Sequence, residues 1–179
     1  LLFTYIPHLD YALQKHGTND RSRLRKAVSE LAEILTSLLR TAESNNYDVL
    51  VWGDYGINDV QNAIPVNALL RDANLFHTRK VNRMTYPDLY TSSAFALADH
   101  QVAIIYARDA ASRQEAMDTL DRAPGVEAFE ALSVTGTGRG EFPAVVAIAA
   151  QDHWFSYTWW REPREAPDYA RHIDIHNKI

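Results

Sequence analysis

At 179 residues, 46% hydrophobic and 23% charged, the chain is long enough to bury one sizeable core and reads as a single domain over residues 1–179. A net charge of −5 with no Lys/Arg run excludes general attraction to a nucleic-acid backbone, and no apolar run approaches the roughly 20 residues that span a bilayer. With no cysteine, disulfides and thiolate metal sites are excluded, so any metal takes Asp, Glu, His or similar ligands.

The start, LLFTYIPHLDY, enters directly on what reads as a buried strand over residues 1–6, without a signal segment. The end, DIHNKI, stops as abruptly. The expectation is the C-terminal portion of a longer protein with its N-terminal part missing, in a cytoplasmic location. A polar loop carrying His8, Asp10, Gln14 and His16 follows the first strand, and Asn19 or Asp20 can cap the next helix. That helix is announced by Leu24, Val28, Leu31, Leu35, Leu38 and Leu39 at three- and four-residue spacing, and it fades near residue 45.

DVLVWG, residues 48–53, reads as a short apolar strand bounded by Asp and Gly. Strand, helix and strand with a long crossover predict two parallel strands buried on both faces. PVNALLRDAN then reads as a short helix, AFALADHQVAIIYAR as one or two strands, SRQEAMDTLDRA as a helix and PAVVAIAA as a strand. The closing DHWFSYTWWREPREAPDYARHIDIH is aromatic and irregular. The alternation predicts an α/β layered fold, a mostly parallel sheet flanked by helices.

In open α/β sheets, ligands gather outside the carboxyl ends of the strands. Asp10 and Asp54 each follow the apolar part of a predicted strand, so two carboxylates meet at one edge if those strands are neighbours. An isolated aspartate in such a place also serves as a turn cap. His8, His16, His172 and His176 add metal-type ligands. His172 and His176 share a helix face but lack the Glu of a zincin; an extended backbone instead groups His172, Asp174 and His176. TGTGRGE precedes a strand rather than following one, so it reads as a surface turn, and there is no G-x-S-x-G elbow. Trp154, Phe155, Tyr157, Trp159 and Trp160 suit stacking on a base or sugar, although such clusters more often pack beneath a loop.

The order TYIPHLDYALQKHG, VLVWGDYGI, VVAIAA…WF…WW and DIH resembles the type I phosphodiesterase and nucleotide pyrophosphatase family, within the alkaline phosphatase superfamily, over nearly the whole chain. It is most similar to a bacterial, alkaline-phosphatase-like branch. Tyr5, Asp10 and Gly17 keep the spacing of the family's first segment, GDYGI matches the second at Asp54 and Gly56, and DIH brings His176 to the third. The resemblance implies that Asp10 and His176 hold one metal and Asp54 the other. Gln14 stands where the family has a first histidine, with His16 two residues on, and Tyr55 stands where it has a second.

The resemblance implies a pair of divalent ions, zinc or manganese/magnesium, about 4 Å apart in the full-length protein; the two changes leave open a different metal, one weak site, or His16 and His8 as substitute ligands. The implied activity is metal-dependent phosphodiester or phosphoester hydrolysis on a small phosphate-ester or nucleotide-like partner. Trp159, Trp160 and His8 are the residues expected to face that substrate. The family's Thr or Ser nucleophile has no counterpart here, so this chain is expected to be inactive alone. The rival expectation is a catalytically silent α/β binding or interaction domain on the same scaffold. No nucleic-acid or membrane partner is expected under either.

Overall fold

A computed structural model describes residues 1–53, 55–132 and 144–171, and these fall into two compact units, one within residues 1–59 and the other beginning at Val60.

In the first unit the expected polar loop is a helix, α1 (His8–His16). Its apolar stripe is only Leu9, Ala12 and Leu13, too short to announce a helical period. The Pro7 carbonyl accepts from Tyr11 N–H at 2.9 Å at one end, and Gly17 N–H donates to the Leu13 carbonyl at 2.8 Å at the other. Gly17 has φ 69°, in the left-handed range that glycine tolerates. The second helix, α2 (Arg21–Ser44), starts as expected on Asp20, whose side chain accepts from Arg23 N–H at 3.1 Å. The two helices pack together, with Ala27 at 5% exposure the buried residue of α2.

Residues 1–6 and 48–53 do not form the expected parallel strands. Among the described residues neither segment pairs with a neighbour, and Leu2, Phe3, Leu50 (80%) and Trp52 (65%) are exposed. The residue types favour a strand, but a strand exists only through a ladder of backbone bonds, which no described segment supplies here.

The second unit holds a four-stranded sheet of order β4-β5-β7-β6, formed by β4 (Ala94–Asp99), β5 (Val102–Ala107), β6 (Val126–Leu132) and β7 (Ala144–Ala149). Every pairing in it is antiparallel, which corrects the expectation of a mostly parallel sheet. Two residues join β4 to β5, with His100 at φ 57°, and so short a link permits only an antiparallel hairpin. The one parallel pair among the described residues is β1 (Asn62–Pro65) with β8 (His153–Ser156). A small hairpin, β2 (Thr78–Val81) and β3 (Met84–Pro87), completes the strands.

The α/β layering stands. Helices α3 (Val66–Asp72) and α4 (Ala110–Asp121) pack on β4 and β5. Ala103, Ile105 and Ala107 alternate inward along β5, while Val145, Ala147 and Ala149 do so along β7. Ala116 and Leu120, one turn apart on α4, and Leu70 of α3 lie in the same core with Phe76 and Phe155. The small alanines keep the sheet surface low, so a helix can approach closely.

Candidate functional site

In the first unit, Tyr5 and the two residues that depart from the family pattern, Gln14 and Tyr55, converge on the Asp10 carboxylate. Asp10 Oδ1 accepts from Gln14 Nε2 at 2.8 Å and from the Tyr55 hydroxyl at 2.9 Å, while Oδ2 accepts from the Tyr5 hydroxyl at 3.2 Å. Asp10 and Gln14 are one helical turn apart on α1, which stacks their side chains on one face. Tyr5 lies just before the helix, and Tyr55 arrives from a segment 45 residues away. The spacing Tyr5, Asp10, Gln14 therefore has a local physical meaning: it places two donors around one acidic group.

A second carboxylate ties the same two segments. Asp59 Oδ1 accepts from Thr18 N–H at 2.9 Å, and Oδ2 accepts from the Thr18 hydroxyl at 2.5 Å and from Asn19 Nδ2 at 2.8 Å. The Thr18 hydroxyl, then its backbone N–H, hold the Asp59 carboxyl below the ordinary value of 3.8, against a smaller upward push from burial. Asp59, Thr18 and Asn19 escaped the sequence reading. Their one signal is Gly17, where a Cβ would lie 2.9 Å from Asp59 Oδ1.

The remaining candidates are placed as follows. His16 sits beside Arg23, whose Nη1 is 3.0 Å from His16 Nδ1, and His8 is exposed at the first position of α1. Asp54 and the His172, Asp174 and His176 segment lie outside the described residues, as does TGTGRGE. Among the described residues, no group of three or more His, Cys, Asp or Glu side chains is arranged to hold a metal ion.

Trp159 and Trp160 belong to the second unit, ring centroids 5.2 Å apart in an edge-on pair. Trp159 serves as packing there: its Nε1 donates to the Thr85 carbonyl at 3.1 Å, its own carbonyl accepts from Arg71 Nη1 at 3.1 Å, and its ring lies 6.4 Å from Phe76. Tyr86 donates to Asp168 at 3.1 Å beside this cluster, and burial first, then the Asp168 carboxylate, push its phenol up.

The groups around Asp10 are two phenols and an amide, with no imidazole among them. No curated protein and no solved structure matches the chain. The type I phosphodiesterase/nucleotide pyrophosphatase family matches residues 1–174, a span that takes in the Asp10 cluster and all of the second unit's sheet. The chain therefore belongs to the type I phosphodiesterase/nucleotide pyrophosphatase family, an alkaline-phosphatase-like family of phosphodiesterase-like hydrolases.

Proposed function

We propose that Asp10 anchors the metal-binding edge of a hydrolase that cleaves a small phosphate ester or nucleotide-like substrate. The observation that carries this reading is the convergence of Tyr5, Gln14 and Tyr55 on Asp10 from two distant segments, both of which lie in the family match. Asp10 supplies the negative charge that offsets a dication. Gln14 and Tyr55 fix the orientation of its carboxylate, and Gln14 Oε1, which has no partner among the described residues, is a further oxygen donor. His176 and Asp54 are the additional ligands in this reading. A bound manganese or magnesium ion supplies Lewis-acid polarisation of the phosphoryl group. The nucleophile is assigned to a Thr or Ser outside these residues, so the isolated chain binds metal without turnover.

One observation favours a second reading, a catalytically silent binding domain: three donors already occupy Asp10. Calorimetric titration with Mn²⁺, Mg²⁺ and Zn²⁺ separates the two. Binding that disappears in both Asp10→Ala and Asp54→Ala supports the hydrolase edge. Absence of binding, or binding unchanged in both variants, supports the silent domain.

A further inference from the structure

We infer that Asp59 is a positioning residue, a clasp that holds the segment bearing Tyr55 against α1 so that the Tyr55 hydroxyl reaches Asp10. Among the described residues, no backbone-to-backbone hydrogen bond involves residues 48–53 or 55–60. Among the described residues, side-chain hydrogen bonds tie the segment to the helical part at Tyr55 and at Asp59. Tyr55 donates to Asp10 on α1, and four residues on, Asp59 accepts three hydrogen bonds from the turn that leaves α1.

Those three donors are Thr18 N–H, the Thr18 hydroxyl and Asn19 Nδ2, all between the two helices. Capping of α2 does not explain them, because Asp20 already performs it through Arg23 N–H. Gly17 lies against the same carboxylate. It takes φ 69°, and any Cβ there would lie 2.9 Å from Asp59 Oδ1, inside the distance that real Cβ atoms tolerate. A glycine at the end of α1 therefore serves both the helix terminus and the close approach of the carboxylate.

With both ends held, the loop from Tyr55 to Asp59 has little freedom to withdraw Tyr55 from Asp10. With Asp59 removed, the loop from Tyr55 to Asp59 gains conformational freedom, whose ordering entropy works against the Tyr55–Asp10 bond. The consequence for metal binding rests on the function proposed above; the clasp itself rests on the hydrogen bonds and Gly17.

The test incorporates 3-fluorotyrosine at position 55 of the 179-residue chain and follows its ¹⁹F resonance, with Mn²⁺ affinity measured in parallel by calorimetry. Asp59→Ala is expected to move the resonance to the position seen in Asp10→Ala, where the acceptor is gone, and to weaken Mn²⁺ binding about tenfold. Thr18→Ser, which keeps both the hydroxyl and the N–H, is expected to leave both readouts unchanged. Circular dichroism checks that the helices persist. Should Asp59→Ala fail to fold, Thr18→Val, which removes only the hydroxyl, is expected to shift the resonance in the same direction. A Tyr55 resonance unmoved in a folded Asp59→Ala or Thr18→Val chain overturns the inference. Absence of Mn²⁺ binding in the unaltered chain overturns the proposed function alone, because the resonance still decides the clasp.

Discussion

Tyr55 donates its phenolic hydrogen to Asp10 Oδ1 at 2.9 Å, across 45 residues of sequence, and shares that oxygen with Gln14 Nε2 at 2.8 Å. Both donors occupy positions where the family resemblance places histidines. A side chain that donates to the carboxylate orients it and does not replace it as a ligand. Tyr55→Phe is therefore expected to weaken metal binding by only about twofold to tenfold, the size of one hydrogen bond of about 1 kcal/mol. Asp10→Ala is expected to abolish it. Mn²⁺ calorimetry on the two variants checks this, and complete loss in Tyr55→Phe would identify the hydroxyl as a ligand in its own right.

The Asp59 clasp carries a pH dependence whose sign follows from its depressed carboxyl. The folded-state value lies below the ordinary 3.8, owing first to the Thr18 hydroxyl and then to the Thr18 N–H. Such a group adds stability above its unfolded value, and that contribution is lost as pH falls through the lowered folded value. The Thr18 amide resonance is therefore expected to stay constant from neutral pH down through the ordinary carboxylate range and to move only below it. Thr18→Val removes the largest cause, so its midpoint should rise. An amide that titrates at or above the ordinary value would show that the carboxylate is not held by Thr18.

What the sequence disclosed follows from the range of each signal. The helix α2 was legible because its leucines repeat over several turns and Asp20 marks its start. In the second unit, α4, β5 and β7 were legible for similar reasons. The β2–β3 hairpin was not, because its two-residue turn is Asn82–Arg83, with Asn82 at φ 58°, where the recognisable signal is Asn-Gly. The β6 strand, VEAFEAL, hides its alternation behind Glu127 and Glu130 and a register shift between Val126 and Ala128. At the candidate site, the family segments pointed to Asp10, Gln14 and Tyr55, which the structure joins by hydrogen bonds, whereas Asp59 has no such signal. A lone aspartate in GINDVQ has no periodic relation to a threonine 41 residues earlier. The parallel-strand expectation failed at residues 1–6 and 48–53 because composition reports suitability for a ladder, not the presence of a partner.

Asn67 makes the edge of β4 depend on a helix. The side chain is 5% exposed; its Nδ2 donates to the Ala96 carbonyl and its Oδ1 accepts from Ala96 N–H, both at 2.8 Å. In effect α3 offers β4 the donor and acceptor of a neighbouring strand. Asn67→Leu fills a similar volume but leaves both backbone groups of Ala96 buried and unpaired. Each costs about 1–3 kcal/mol, so a loss of about 2–5 kcal/mol is expected. Urea unfolding measures it, and a loss below 1 kcal/mol would mean that water reaches Ala96.

Thr85 predicts a change in the opposite direction. It is 0% exposed, and among the described residues its Oγ1 has no hydrogen-bond partner, whereas its carbonyl accepts from Trp159 Nε1 at 3.1 Å. Valine keeps the branched shape and the carbonyl but removes the hydroxyl, which has lost its water without gaining a partner. Thr85→Val is therefore expected to stabilise the chain by about 1 kcal/mol, while Leu120→Ala, which empties a fully buried position in the same unit, should cost about 2–5 kcal/mol. Paired urea denaturation curves test both against one baseline. If valine destabilises while Leu120→Ala behaves as expected, the Thr85 hydroxyl has a partner in the folded protein, and the region between β3 and Trp159 holds a polar contact worth tracing.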